Sequence, residues 1–247
     1  YTGVIKYGVV NIKKDDDKVV ISGSFDANDK EKICDYFDLN SDYASIKRKL
    51  ELNDENMKKA IEYGYGIRIL NQDSWEMLIS FIISAANNIP RISKTIENIS
   101  RAYGQKITWN EKGYYKFPTP KELSKATVEE LRALNLGFRD KYVYNATKMV
   151  YAGEVNLEEI EKMNYKDAKK ELMKIQGVGE KVADCILLFS MRKREAFPVD
   201  TWIKKVMSQL YNESKDIKKI SAFAESKFGE YGGIAQQYLF YYMRSNF

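Results

Sequence analysis

GVGEKVADCILLFSMRKREAFPVD, residues 177–200, is the run on which the reading of this chain turns. Gly177-Val178-Gly179 interrupts an otherwise helical pattern, because glycine takes positive φ without strain and can end a helix within one or two residues. A second helix starts near Glu180 and is carried by Lys181, Val182, Ala183, Cys185, Ile186, Leu187 and Leu188. The product is a helix, a very short hairpin and a second helix. Unpaired backbone N–H groups at such a helix start can hold an anion, a nucleic-acid phosphate among them.

Lys181 falls in the first turn of the second helix, and Cys185 and Phe189 follow at i+4 and i+8 on roughly the same face. The positive end of the helix macrodipole suits an amine that acts as a neutral nucleophile. Asp200 lies nineteen positions beyond Lys181, after Pro198-Val199 and ahead of a helical pattern over 201–207. It fits the N-cap of that helix, where backbone N–H donors would fix its carboxylate. Each feature taken singly also has a plainer reading: a solvated lysine, a cap with no other task, a hairpin that only turns the chain. Their order and spacing together favour a site.

The succession LMKIQGVGEKVADCILLFS, then AFPVDTWIKKV, resembles the helix-hairpin-helix, Gly/Pro-rich loop and aspartate signature of the base-excision DNA glycosylases. Within that superfamily the KVADC and PVD segments most resemble the 8-oxoguanine DNA glycosylases, and weaker similarity runs over nearly the whole chain. The resemblance implies a mostly α fold with a small N-terminal antiparallel β-sheet (α+β), and two helical domains flanking a cleft. It implies a DNA glycosylase with apurinic/apyrimidinic lyase activity, in which Lys181 attacks the sugar C1′ and Asp200 stabilises the charge developing there. Gly177 and Gly179 would serve the hairpin's grip on DNA. Trp202 stands where relatives often carry a phosphate-contacting histidine.

Further residues acquire expected roles from the same resemblance. On the C-terminal helix, Gln236 and Phe240 stand at i and i+4. Phe240 would stack on the damaged base, Gln236 would bond its Watson–Crick edge, and Cys185 would cover the other face, with Phe189 as further pocket wall. Without the resemblance, the same aromatic stripe reads as core packing. After the apolar run 77–83 comes SAANNIPRI, residues 84–92. Asn87 and Asn88 read as capping or turn residues, or as the loop that enters the gap left by an extruded base, with Arg91 reading the orphaned cytosine. Ala86 replaces an asparagine usual at the gap-filling position, so discrimination for cytosine is expected to be weaker. Phe138 reads either as core or as a wedge in the kinked duplex, and Arg139 either as a partner of Asp140 or of another neighbour, or as a second reader of the cytosine.

Composition narrows the alternatives. The 247 residues are 44% hydrophobic and 30% charged, which describes an ordinary soluble chain. The chain contains no histidine, so His-dependent triads, acid–base catalysis and metal sites are excluded. Its two cysteines, Cys34 and Cys185, fit a reducing cytosol better than a disulfide framework, and they rule out the four-cysteine iron–sulfur cluster of some superfamily members. A net charge of +5 is compatible with a polyanionic partner without requiring one. No apolar run reaches membrane-spanning length.

Three consecutive segments are expected: 1–64 with a sheet and short helices, 65–177 as a central helical domain, and 178–247 as a C-terminal helical domain. Residues 4–12 and 19–25 read as two antiparallel strands around a turn over 14–18. A chain that opens at Tyr1 close to strand pattern suggests further strands upstream, along with a glycine that would accept a hydrogen bond from the lesion's N7–H. No metal or cofactor is expected in the chemistry. A structural monovalent cation on the carbonyls of Met173, Ile175 and Val178 is what the resemblance implies. The expected partner is damaged double-stranded DNA, bound by a monomer in a prokaryotic cytoplasm. Two rivals remain at this point: a glycosylase for another damaged purine, and a non-enzymatic DNA-binding protein built on the same hairpin.

Overall fold

The computed structural model describes residues 1–16 and 18–246. Strands β1 (Thr2–Ile5), β2 (Gly8–Asp15) and β3 (Lys18–Gly23) form one antiparallel sheet in that order. Helices α1 (Lys30–Tyr36), α2 (Tyr43–Glu51), α3 (Glu55–Tyr63), α4 (Ser74–Ser84) and α5 (Ile89–Tyr103) follow. A second antiparallel hairpin, β4 (Lys106–Trp109) with β5 (Lys112–Tyr115), comes next. The rest is helical: α6 (Pro120–Leu123), α7 (Val128–Leu131), α8 (Asp140–Tyr151), α9 (Leu157–Lys162), α10 (Tyr165–Leu172), α11 (Glu180–Ser190), α12 (Thr201–Leu210), α13 (Ile217–Phe228) and α14 (Gly232–Asn246). The mostly helical α+β class expected from sequence is therefore observed.

The single strand expected over 4–12 is two strands. Ile5 pairs with Gly8, leaving Lys6-Tyr7 as a two-residue turn, and Gly8 at φ +143° adopts a conformation open to glycine. The sheet thus acquires its third strand inside the segment read as one. The expected turn over 14–18 is shorter than read: Lys14 and Asp15 pair within β2 and Lys18 within β3, and Asp17 lies outside the described residues.

The chain divides into two compact units. Unit 1 comprises residues 1–36, 72–159 and 175–177; unit 2 comprises 37–71, 160–174 and 178–247. The expected segment 1–64 is shared between both, 65–177 lies mostly in unit 1, and 178–247 belongs to unit 2. In unit 1 the apolar run of α4 is the core: Leu78, Ile79, Ile82 and Ile83 are fully buried, with Ile99 of α5 and Val143 of α8. Asp73 caps this helix, accepting from the Glu76 N–H at 3.0 Å. In unit 2, α14 packs against α3 and α12, burying Tyr238, Leu239 and Met243 with Met57, Ile61, Val206 and Met207. At its start α14 also closes on α11 and the loop that follows it, where Gly233 is required: a Cβ there would stand 2.2 Å from Leu188 Cδ1 and 2.6 Å from the Ala196 carbonyl oxygen.

Candidate active site and nucleic-acid interface

The two glycines of the hairpin have different jobs. Gly177 sits at φ +94°, and a Cβ there would meet the Tyr142 side chain at 3.0 Å, so both conformation and space demand glycine. Gly179 has an ordinary extended backbone (φ −92°, ψ −178°) and nothing within 4 Å of where a Cβ would stand. It is the N-cap of α11 and supplies no side-chain bond to that helix start. The backbone N–H groups opening α11 are therefore left to a ligand or water.

Within unit 2, α11 is anchored to α10 by Asp184, which accepts from Tyr165 Oη at 2.7 Å and from Lys169 Nζ at 2.9 Å. Burial raises the Asp184 pKa, and the Lys169 charge opposes the shift. That tie fixes which way the rest of α11 faces. One turn apart on this helix, the Lys181 amine lies in hydrogen-bonding reach of the Cys185 thiol. Cys185 is 4% exposed. Burial pushes its pKa up to about 11, while the Lys181 charge pulls down and the Asp184 and Asp200 charges push up. Cys185 thus feels the charges of both expected reacting groups, Lys181 most strongly and Asp200 least. Asp200 caps α12 as its position suggested, its Oδ1 accepting from the Ile203 N–H at 2.8 Å.

Gln236 of α14 meets the same loop. Its side chain is buried and donates from Nε2 to the Pro198 carbonyl at 3.3 Å, two residues before Asp200. Its Oε1 accepts from Gln237 Nε2 at 2.5 Å. Phe189 and Phe240 are both half-buried. Trp202 is half-buried in the first turn of α12, with Lys205 Nζ 4.6 Å from the centre of its ring.

Unit 1 carries the other expected residues. Asn88 caps α5, accepting from the Arg91 N–H at 3.0 Å, and Asn87 donates to the Ile83 carbonyl at 3.0 Å. Both asparagines therefore perform the capping role read from sequence. Ala86 is exposed at φ +48°, a conformation an asparagine adopts more readily than an alanine. The side chain of Arg91 is exposed beside them. Phe138 is 61% exposed, which removes the core reading. It stands on a turn made by Gly137 at φ +60° and ψ −138°. Arg139 is 3% exposed and is not a partner of Asp140, which instead accepts from Arg132 Nε at 2.7 Å. Its guanidinium lies 4.3 Å from the centre of the Phe138 ring and donates to the carbonyls of Ala85, Ala86 and Leu136.

Residues 1–78 match the model of the 8-oxoguanine DNA glycosylase N-terminal domain, and residues 79–229 match that of the HhH-GPD superfamily of base excision DNA repair proteins. This chain belongs to the HhH-GPD superfamily. A probable N-glycosylase/DNA lyase of Methanothermobacter thermautotrophicus is 34% identical over 236 residues, covering 87% of this chain and 75% of the relative. The Saccharomyces cerevisiae N-glycosylase/DNA lyase is 36% identical over 211 residues, and there the match spans 71% of this chain but only 56% of the relative. A crystal structure of the Clostridium acetobutylicum 8-oxoguanine glycosylase/lyase, bound to duplex DNA with cytosine opposite 8-oxoguanine, superposes with a TM-score of 0.95. It is 46% identical, and the match covers all of this chain and 85% of that one.

For this HhH-GPD chain, sequence reasoning identified the hairpin, the lysine and the cap aspartate, but missed three supports of the site. The tie from Asp184 to Tyr165 and Lys169 had no expected role, although Asp184 stands between two residues singled out. The close approach at Gly233 and the Gln236 bond to Pro198 are both contacts between segments about 40 residues apart, with no local trace in the pattern. Among the described residues, no helix is long and apolar enough to cross a membrane.

Proposed function

We propose that this chain removes 8-oxoguanine from duplex DNA and then cleaves the strand at the resulting abasic site. The observation that carries the reading is Lys181 in the first turn of α11, one turn from the buried Cys185 and behind a helix start with no side-chain cap, with the Asp200 carboxylate fixed as the cap of α12. The lesion nucleotide swings out of the helix, at a cost of a few kcal/mol that phosphate contacts and the Phe138 wedge offset. Lys181 Nζ, in its neutral form, bonds to C1′ as the N-glycosidic bond breaks and the base departs with the electron pair. The amine proton is lost, the sugar ring opens, and a Schiff base forms. Removal of a C2′ proton then expels the 3′ phosphate by β-elimination. The Asp200 carboxylate, held by its cap bond, stabilises the positive sugar during the first step.

Cys185 and Phe240 are proposed to cover the two faces of the flipped base, with Phe189 as further wall. Gln236 reads its edge, for which it must give up Gln237 or use its remaining Nε2 hydrogen. Asn87, Asn88 and Arg91 meet the strand opposite the lesion; Gly177, Gly179 and Trp202 meet the backbone. A monovalent cation on the carbonyls of Met173, Ile175 and Val178 suits neutral oxygen donors and takes no part in the steps above. A monomer acting on nucleoid DNA in a prokaryotic cytoplasm completes the proposal.

The test is direct. Purified protein is incubated with a duplex carrying one 8-oxoguanine opposite cytosine, and with its undamaged counterpart. The expected product is a β-elimination break at the lesion alone. An intact lesion strand, with the protein folded and DNA bound, overturns the reading. Faster release of 3-methyladenine than of 8-oxoguanine would transfer the activity to alkylated purines.

A further inference from the structure

Arg139 is a buried arginine whose hydrogen bonds go to main-chain oxygens. Nε donates to the Ala85 carbonyl at 2.7 Å, Nη2 to the Ala85 and Ala86 carbonyls (2.8 Å to Ala86), and Nη1 to the Leu136 carbonyl at 3.2 Å. Ala85 is the C-cap of α4, whose end carries the partial negative charge of the helix and no capping glycine. The guanidinium supplies that cap. A guanidinium has five N–H bonds, and four are committed here, so one remains. The other face of the same group lies under the exposed Phe138 ring. The Arg91 charge is close enough to depress the Arg139 pKa further, after burial as the main cause.

From this geometry we infer that Arg139 is a positioning residue. It clamps the gap loop at Ala85–Ala86 to the wedge turn at Leu136–Phe138, so that loop and wedge engage DNA in one fixed relation, and opposite-base reading is left to Arg91. A two-point contact with a cytosine edge would require Arg139 to abandon the cap of α4, and the Phe138 ring would lose its support. The inference rests on the glycosylase reading above and specifies how its opposite-strand apparatus is held. It also gives a second cause, besides Ala86, for weak discrimination at the opposite base.

Single-turnover excision of 8-oxoguanine opposite each of the four bases tests it, in wild type, Arg139→Gln, Arg139→Lys and Arg91→Gln. A misplaced loop and wedge slow the reaction without regard to the partner base, by about 10- to 100-fold, the loss expected for misplacement on the order of 1 Å. Arg139→Gln is therefore expected to slow all four reactions by one common factor, with the cytosine-to-adenine rate ratio within about twofold of wild type, while Arg91→Gln collapses that ratio. Arg139→Lys keeps the buried charge, reaches fewer carbonyls, and lies between. It carries the same comparison should the glutamine variant fail to fold. A loss confined to the cytosine duplex in either Arg139 variant overturns the clamp and makes Arg139 a reader. Failure of the wild-type enzyme to excise at all would instead refute the glycosylase reading, so the two failures are distinguishable.

Discussion

Alanine at Gly177 and at Gly179, introduced one at a time, separates folding from DNA binding within a three-residue hairpin. At Gly177 the backbone stands at φ +94°, and the new methyl would press on Tyr142 at 3.0 Å from Cβ, Cγ and Cδ2. Those atoms are near the ring's own attachment point and cannot swing clear. Left-handed backbone costs an L-residue about 1–2 kcal/mol, and forced overpacking costs about 1–3 kcal/mol. Taken together, about 2–5 kcal/mol of stability should be lost, which lowers Tm by about 4–20 °C for a chain of this size. At Gly179 neither penalty applies, because φ is −92° and no atom lies within 4 Å. Alanine there is a poorer N-cap than glycine but stiffens the unfolded chain, and the two offset, so stability should stay within about 1 kcal/mol of wild type. The open space before Gly179 is where a phosphate must approach the α11 N–H groups. Loss of one charge-assisted hydrogen bond, about 1.5–3 kcal/mol, should weaken duplex binding by about 10- to 100-fold. Thermal melts and fluorescence anisotropy with labelled duplex read the two quantities independently. A Gly179→Ala protein that binds DNA as wild type does, or that melts as low as Gly177→Ala, refutes the division of labour.

Asp200→Asn keeps a good cap for α12 and removes only the charge, so Tm should hold within about 0.5 kcal/mol while single-turnover base release falls by about 100- to 1,000-fold; an equal fall in Tm and rate would reduce Asp200 to a cap. Ala86→Asn places a residue tolerant of φ +48° on the exposed loop, and should raise stability by about 0.5–1 kcal/mol and increase the preference for cytosine opposite the lesion, read by melts and by four-base excision rates. Burial, with the Asp73 charge adding, raises the Glu76 pKa from an ordinary 4.5 to about 7. Between those values the folded chain holds a proton that the unfolded chain has lost, so stability is full below about pH 4.5 and declines as pH rises through 7. Glu76→Gln should therefore stabilise unit 1 at pH 8, by up to about 3 kcal/mol, and have little effect at pH 4.5, as urea titrations at the two pH values would show.

What could be read in advance follows from the range of the forces involved. The hairpin, the start of α11 and the cap at Asp200 were legible because glycine, helical periodicity and N-capping act within a few residues. The same holds for α4, announced by Asp73 and a run of apolar residues. The single strand read over 4–12 failed because a two-residue turn at Lys6-Tyr7 lacks the usual Asn-Gly marking, and only Gly8 betrayed it. The β4–β5 hairpin was overlooked for a related reason: its turn residues Asn110 and Glu111 adopt φ +48° and φ +62° with no glycine at either position. Arg139 shows the limit most clearly. An arginine beside an aspartate reads locally as an ion pair, whereas here Arg139 answers the end of a helix more than 50 positions earlier, and Asp140 answers Arg132.

The measurement that bears most directly on the central claim is the location of the covalent bond between enzyme and DNA. Protein reacting with an 8-oxoguanine duplex is reduced with borohydride, digested, and the DNA-linked peptide sequenced by mass spectrometry. The adduct is expected on Lys181, and Lys181→Gln should bind the same duplex and yield no adduct. A crosslink at another amine, or a Lys181→Gln protein that is still trapped, would contradict the account.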